Sequence, residues 1–205
     1  MDKEYWDEYY KNDGQDEDIL KASTFAMFCQ EKFCQKNSKN ILELGFGNGR
    51  DANYFASKQH KVIAVDQSAG VRRNENNINF IEDNFVHMNY GVFGKIDLIY
   101  SRFTLHSIKE KEFMIVLKKA SEVLRKGALF ALEARSIEDP LYGVGAKVGK
   151  NEFVTDHYRR FIDSSSLILK FLNSGFKLIY FTEEDNLSIY KSDNPVLIRA
   201  IFKKL

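Results

Sequence analysis

The stretch Ile41-Leu42-Glu43-Leu44-Gly45-Phe46-Gly47-Asn48-Gly49-Arg50 passes from a short apolar run into glycines at every second position. The apolar run at 41–44 is typical of a buried strand, and residues 51–56 have the pattern of a helix start. Glycines at a strand-to-helix turn let a ligand approach the backbone closely, because they carry no Cβ. Arg50 stands where the dinucleotide fingerprint G-x-G-x-x-G needs its third glycine, so the stretch predicts a ligand-binding turn other than a nicotinamide site.

Length and charge limit the classes of protein that this sequence can encode. The chain has 205 residues, the size of one domain, and its charged residues, 29% of the total, balance to a net charge of +1. That balance argues against a general nucleic-acid binder. No run of about 18 apolar residues predicts a membrane span, and the polar, acidic beginning is unlike a signal peptide. Cys29 and Cys34 suit neither a disulfide framework nor a zinc site. We therefore expect one cytoplasmic domain over residues 1–205, without nucleic-acid or membrane partners.

Strand and helix patterns alternate along the chain. Strands are predicted at 41–44, 61–66, 78–81, 96–100, 128–133, 176–181 and 196–202. Helices are predicted at 17–36, with Asp16 as its cap, at 109–124, and from the serines at 164–166 to Asn173. Such alternation implies a mostly parallel sheet covered on both faces. The last two strands have no helix between them, so we expect them to pair as an antiparallel hairpin.

The motif E-x-G-x-G-x-G and the five β/α units closed by a hairpin resemble the class I S-adenosylmethionine (SAM) dependent methyltransferases. The resemblance covers roughly residues 38–205 and extends to bacterial small-molecule enzymes of the tellurite-resistance-like and surface-polysaccharide types. It implies an α/β Rossmann-like fold with a seven-stranded, mostly parallel sheet, and SAM as the cofactor. A nicotinamide oxidoreductase is disfavoured by the glycine spacing.

The cofactor positions follow from Asp66 and from the resemblance. A carboxylate at the end of the second strand can accept hydrogen bonds from both ribose hydroxyls, as in nucleotide folds generally; the alternative is a solvated turn aspartate. Arg50 either contacts the SAM carboxylate or faces solvent. The resemblance adds, as further cofactor-binding positions, Tyr5, Trp6, Glu43, Gly45, Gly47, Gly49, Gln67, Asp83, Asn84, Phe85 and Ser101.

The segment after the fourth strand is expected to face the transferable methyl group, because ligands of open α/β sheets bind beyond the carboxyl ends of the strands. It contains Arg102, suited to a phosphate or carboxylate, and His106, a candidate general base. The alternatives are a surface salt bridge and a helix-capping histidine. The segment lacks the N/D-P-P-Y motif of many amine methyltransferases of DNA and protein. Only Asp97 and Glu133 are nearby carboxylates, so no metal site is predicted.

A long insertion at 135–163 separates the fifth strand from the next helix, which exceeds a plain connection. We interpret it as a substrate lid made flexible by glycines. Its candidate catalytic residues are His157 and Tyr158, and its candidate substrate-binding residues are Tyr142, Arg159 and Arg160. Alternatively, the two arginines pair with the acidic N-terminus. Residues 1–37 are predicted to form a helical cap, in which Tyr5, Trp6 and the substrate-binding Tyr9 resemble the aromatic arm of small-molecule methyltransferases or simply pack on the core.

The Ser101-Arg102 and Leu105-His106 pairs are also similar to the phosphoethanolamine methyltransferases, although Phe103 replaces the aspartate expected after the arginine. This similarity implies N-methylation of a small, anionic amino alcohol phosphate by a monomer or homodimer. O-methylation of a sugar or other hydroxyl, methylation of RNA, and a non-catalytic SAM-binding module remain the alternatives. The near-zero net charge disfavours RNA.

Overall fold

The computed structural model describes residues 3–12, 20–68 and 77–205. Its helices are α1 (Lys3–Asn12), α2 (Thr24–Cys29), α3 (Arg50–Ser57), α4 (Glu110–Val123) and α5 (Ser164–Asn173), with a π-helical turn at Gln30–Cys34 and a 3-10 turn at Tyr90–Phe93. Its strands are β1 (Asn40–Leu44), β2 (Lys61–Asp66), β3 (Ile78–Glu82), β4 (Leu98–Arg102), β5 (Leu129–Arg135), β6 (Ala146–Gly149), β7 (Glu152–Val154), β8 (Tyr158–Arg160), β9 (Phe176–Glu184) and β10 (Leu197–Lys204).

The described strands form a seven-stranded sheet in the order β3-β2-β1-β4-β5-β10-β9. The first five strands pair in parallel, and β10 pairs antiparallel with both β5 and β9. This arrangement confirms the predicted fold class and the antiparallel C-terminal hairpin. None of the described helices has both the length and the apolar character that a membrane span requires.

Two apolar clusters cover the faces of the sheet. On one face Leu42, Ile99 and Phe130 pack with buried residues of α4 and α5. On the other face Ile41 and Tyr100 pack with buried residues of α2 and α3. Strands that are buried on both faces have nearly continuous apolar sequences. The central strands could therefore be predicted from the sequence.

The predicted helix at 17–36 is wrong as a single element. Leu20 is helical, residues 21–23 are not, and α2 begins at Thr24. Ser23 interrupts the helix because its extended backbone makes it a cap, with its side chain accepting the Ala26 N–H at 3.0 Å. The backbone N–H and hydroxyl of Ser23 donate to the Asp51 carboxylate at 2.8 and 2.7 Å. The expected cap, Asp16, lies outside the described residues.

Two further boundaries differ from expectation. Strand β4 starts at Leu98 rather than 96, so Asp97 precedes the strand instead of lying within it. The Asp97 carboxylate accepts the Asn40 N–H at 3.0 Å, which aligns the starts of β1 and β4. Helix α5 is capped by Asp163, whose carboxylate accepts the Ser166 N–H at 2.7 Å, rather than by the serines that follow it.

The insertion at 135–163 contains an antiparallel sheet, β6-β7-β8, rather than an open loop. Tyr142, Phe153 and Phe161 stack edge to face beneath it, with ring centroids 5.3 to 5.9 Å apart. Arg160 fastens it to the segment after β4, donating to the Leu105 and Ile108 carbonyls at 2.8 and 2.9 Å. The insertion is therefore a folded wall whose position is set by a buried arginine.

Candidate functional site

A cavity of about 410 Å³ lies at the carboxyl ends of β1, β2, β4 and β5. Ligands of open α/β sheets bind at this edge. Helix α1, the insertion and the β9–β10 connection complete its walls. The lining residues are Tyr5, Trp6, Tyr9, Tyr10, Glu43, Gly45, Phe46, Gly47, Asn48, Arg50, Asp51, Asp66, Arg102, Phe103, Thr104, His106, Ser107, Arg135, His157, Arg159, Ser188, Ile189, Tyr190 and Asp193.

The glycine turn forms the floor of the cavity. Gly45 and Gly47 have φ values of +76° and +57°, in the left-handed region that favours glycine. A Cβ on Gly45 would lie 2.1 Å from Thr104 Cγ2, and a Cβ on Gly47 would lie 2.5 Å from the Tyr10 hydroxyl. Gly49 caps the start of α3. The turn therefore has no room for side chains at its first two glycines.

Asp66 closes β2 beside this turn. Its carboxylate accepts the Gly47 N–H at 2.9 Å and the Ser68 N–H at 3.0 Å. Burial raises the pKa of the Asp66 carboxyl above its ordinary value, although hydrogen bonds from the backbone of Ser68, Gly47 and Gln67 act in the opposite direction. The structure thus brings Asp66 and the glycine turn together, as the sequence indicated.

Glu43, from β1, is a buried carboxyl in the cavity wall. Its Oε2 has no hydrogen-bond partner among the described residues. Burial, and then the charges of Asp51 and Asp66, raise the pKa of Glu43 well above its ordinary value. An isolated buried carboxyl next to two carboxylates is suited to receive a cationic or hydrogen-bond-donating group of a ligand. Arg50, also in the lining, lies with Nε 3.8 Å from Asp51 Oδ1.

Arg102 lines the cavity but already has a carboxylate partner. Its Nε lies 2.9 Å from Glu133 Oε1, out of line for a hydrogen bond, and its Nη2 donates to Ser188 Oγ at 2.7 Å. Arg199 Nε donates to the other oxygen of Glu133 at 2.5 Å. Two guanidinium groups therefore share one carboxylate. Because Glu133 is fully buried, this ion cluster lies in a low-dielectric environment.

The two candidate histidines both lie in the cavity wall and are both held neutral. His106 Nδ1 accepts the Arg135 N–H at 3.4 Å, so its neutral ring carries the proton on Nε2. Burial, then Arg135, lowers the pKa of His106 well below its ordinary value. Burial, then Arg159, lowers the pKa of His157 to about 4, against the opposing effect of Asp156.

Of the other candidates in the insertion, only Arg159 reaches the cavity. It donates to Asp156 Oδ1 at 2.8 Å and to Thr155 Oγ1 at 2.5 Å. Arg160 points to Glu110, at 2.6 Å, and to backbone carbonyls. Tyr158 and Tyr142 are outside the lining, and the Tyr142 hydroxyl donates to Asn151 at 3.0 Å. Arg160, Tyr142 and Tyr158 thus lie outside the lining of this cavity.

Helix α1 covers the cavity with aromatic rings. The Tyr5 ring lies against His157 at an angle of 31°, with ring centroids 4.2 Å apart, and its hydroxyl donates to Asp156 at 3.0 Å. Trp6 lies edge-on to the same histidine at 5.2 Å. At the other side Lys3 donates to the Gln67 carbonyl at 2.6 Å. The helix therefore bridges the cofactor end of the cavity and the insertion, and Tyr9 lies in the lining between them.

The remaining cofactor candidates lie outside this lining. Phe85 is fully buried in the core, and Ser101 is fully buried with its hydroxyl 2.5 Å from that of Thr104. Asp83 is exposed and accepts the Asn84 N–H at 2.7 Å, while Asn84 Nδ2 lies 3.5 Å from Gln67 Oε1. Among the residues described, no group of three or more His, Cys, Asp or Glu side chains is placed to hold a metal ion.

Sequence reasoning missed several lining residues. Tyr10 was detectable, because it lies one helical turn after Trp6 and shares its face. Arg135 was identified only as the first residue of the insertion, without a predicted role in the site. Ser188, Ile189, Tyr190 and Asp193 lie in the β9–β10 connection, and no local pattern indicates that it folds back over the sheet edge.

Together these features define an α/β protein with a polar cavity at the glycine turn. A family model described as a methyltransferase domain matches residues 17–180. An uncharacterised methyltransferase of Bacillus mycoides strain KBAB4 is 24% identical over 191 residues, covering 85% of this chain and 88% of the relative. The chain belongs to the class I SAM-dependent methyltransferases, whose methyl donor is SAM.

Solved structures share the fold. The 1,6-didemethyltoxoflavin-N1-methyltransferase of Burkholderia thailandensis, with 1,6-didemethyltoxoflavin and S-adenosylhomocysteine bound, superimposes with a TM-score of 0.73 at 15% identity, covering 96% of this chain and 84% of that one. The glycopeptide N-methyltransferase MtfA, complexed with SAM, gives a TM-score of 0.66 at 14% identity, covering 90% and 95%.

Gly45→Ala tests the steric requirement of the glycine turn. The new Cβ would collide with Thr104 Cγ2, so we expect loss of SAM binding and destabilisation by about 2–4 kcal/mol from clash and left-handed strain together. Gly143→Ala is the matched control, because Gly143 has φ +88° but open space around it. Adding Thr104→Ser to Gly45→Ala removes the colliding methyl and should restore part of the loss. Urea unfolding and calorimetry measure both effects; equal losses in the two glycine variants would contradict the steric argument.

The neutral histidines predict a pH-dependent stability. The pKa of His157 is lowered in the folded state, so below about pH 6.5 the unfolded state binds more protons and the free energy of unfolding falls toward pH 4. Each such histidine contributes a slope of up to about 1.4 kcal/mol per pH unit. His157→Gln should flatten this slope, whereas replacing the exposed His87 by Gln should leave it unchanged. Urea titrations at several pH values decide the matter, and parallel slopes for wild type and His157→Gln would refute the assignment.

Proposed function

We propose that the cavity binds SAM through the glycine turn, Glu43 and Asp66. Gly45 and Gly47 line the cavity without a Cβ, so a ligand can approach the backbone of the turn closely. The unpartnered Oε2 of Glu43 matches the ammonium group of a methionine moiety. Asp66, at the end of β2, is placed for ribose hydroxyls. The cradle formed by these residues is the observation that carries the proposal.

The proposed reaction is N-methylation of a small polar metabolite. The cavity, about 410 Å³, has the size of a small-molecule site. Helix α1 and the sheet of the insertion close over it, which favours a small substrate over a polymer. The solved structures of similar fold include enzymes named as N-methyltransferases of 1,6-didemethyltoxoflavin and of glycopeptides.

The charge distribution favours a substrate with both a cationic and an anionic part. Arg102 and Arg199 share the single carboxylate of Glu133, so the guanidinium group of Arg102 in the lining is only partly neutralised. This partial neutralisation supports an anionic group in the substrate, in keeping with an amino alcohol phosphate resembling phosphoethanolamine. Arg159, an arginine of the insertion that also lies in the lining, pairs with Asp156. A role in surface-polysaccharide biosynthesis rests on sequence resemblance alone.

The bound donor supplies an electrophilic methyl group, and the protein contributes alignment. Confinement between the aromatic rings of α1 and the sheet edge brings a nucleophile into line, and proximity supplies much of the rate. His106 presents an N–H on Nε2 rather than a free lone pair, so it suits orientation of the substrate better than proton abstraction. His157, with its pKa near 4, is a weak base whose ring lies against Tyr5.

Asp66→Ala tests the cofactor site. We expect calorimetry to detect SAM and S-adenosylhomocysteine binding, no appreciable NAD binding, and a loss of about 1–3 kcal/mol of SAM affinity in the variant, because two ribose hydroxyls lose their acceptor. Asp185→Ala, at an exposed position, is the control that should bind like wild type. NAD binding in place of SAM, or wild-type affinity in Asp66→Ala, would count against the proposal.

A further inference from the structure

The connection between β9 and β10, residues 185–196, forms one wall of the cavity. Ser188, Ile189, Tyr190 and Asp193 contribute to the lining. This wall lies beyond the strand ends that carry the cofactor cradle, so its side chains are available to a second molecule rather than to the cofactor.

Arginines from three strands hold this connection in place. Arg102 donates to Ser188 Oγ at 2.7 Å, Arg199 donates to the Leu187 carbonyl at 2.8 Å, and Arg135 pairs with the Asp193 carboxylate. Such anchoring preorganises a loop, which lowers the entropic cost of binding a ligand.

The connection is also braced internally. Asn186 and Asn194 exchange two hydrogen bonds, at 2.9 and 3.1 Å. The backbones of Tyr190 and Asp193 exchange two more, at 3.0 and 2.9 Å. Tyr190 and Asp193 are therefore fixed relative to each other on one short turn.

The Tyr190 hydroxyl is buried and has no hydrogen-bond partner among the residues that the structure describes. Leaving a buried hydroxyl unpaired costs roughly 1–3 kcal/mol. A ligand group that hydrogen-bonds to it would recover this cost, so the hydroxyl marks a position at which a polar substrate atom is favoured.

The Asp193 carboxylate lies beside Tyr190 in the lining. Arg135 pairs with it and, at 2.9 Å, with the carboxylate of the fully buried Asp139, so the two carboxylates share one guanidinium group. The Asp193 side chain is 45% exposed, which leaves it accessible from the cavity side. Lys191 lies 5.0 Å from the Tyr190 ring but is solvent-exposed, where water screens its charge.

We propose that Tyr190 and Asp193 form the recognition site for the amine of the substrate, which rests on the proposed N-methyltransferase function. The Asp193 carboxylate accepts an N–H of the amine, and the Tyr190 oxygen accepts a second N–H. The amine binds as the ammonium form, loses one proton to water to free the nitrogen lone pair, and after methyl transfer carries the positive charge that Asp193 balances. The arrangement selects amines over alcohols and carboxylates of the same shape.

The experiment compares benzylamine, benzyl alcohol and benzoate, three probes of similar size that differ in charge. Each is titrated by ligand-observed NMR into full-length protein saturated with S-adenosylhomocysteine, so that no reaction occurs. We expect wild type to bind benzylamine about tenfold more tightly than benzyl alcohol, as charge-assisted hydrogen bonding implies, and benzoate least. Tyr190→Phe should weaken the binding of benzylamine several-fold. Asp193→Asn should remove the preference for benzylamine over benzyl alcohol.

Tyr142→Phe is the matched control, because it removes a tyrosine hydroxyl outside the cavity and should leave the ranking unchanged. Equal binding of the three probes, strongest binding of benzoate, or no binding of benzylamine to wild type overturns the amine site. The S-adenosylhomocysteine titration separates the two proposals. Failure of wild type to bind S-adenosylhomocysteine contradicts the proposed function, whereas binding without an amine preference contradicts the amine site alone. Unchanged S-adenosylhomocysteine affinity in both variants is expected and excludes a general structural effect.

Discussion

The candidate site depends on one buried carboxylate, Glu133, held between two arginines. Arg102 lies in β4 and Arg199 in β10, the neighbours of β5 on either side, so the ion cluster fastens three strands at their functional edge. Removing one member of such a cluster leaves buried charge unpaired, at a cost of about 3–5 kcal/mol. The cluster also extends outward, because Arg199 binds Thr24 Oγ1 at 2.6 Å and the Leu187 carbonyl at 2.8 Å.

These outward contacts anchor two segments near the sheet edge, the start of α2 and the β9–β10 connection. The start of α2 is held by Arg199 and by Asp51, which binds Ser23 and the Tyr100 hydroxyl. The β9–β10 connection is held by the same arginines. Loops that carry function are commonly positioned by a rigid scaffold, and here the scaffold reaches them through charge-assisted hydrogen bonds.

The parts of the site that were predictable from sequence depend on local geometry. A strand, a glycine turn and Asp66 at the next strand end lie together because parallel strands share one carboxyl edge. Arg102 lies in the cavity lining, but its pairing with Glu133 depends on the β4–β5 register, which no local pattern encodes. Phe85, predicted to bind the cofactor, is instead fully buried in the core. Its burial depends on contacts with residues distant in the sequence. Tyr190 and Asp193 reach the cavity only through the folded-back connection, so their position is a tertiary property.

Hydrogen–deuterium exchange of Glu133→Gln against wild type tests the central role of this carboxylate most directly. We expect faster exchange in residues 21–29 and 185–196, the two segments that Arg102 and Arg199 hold, with exchange in β1 to β3 unchanged. Glu110→Gln, which removes the half-exposed partner of Arg160, should not affect those two segments. Wild-type exchange in both segments of Glu133→Gln would contradict the claim that this ion cluster organises the site.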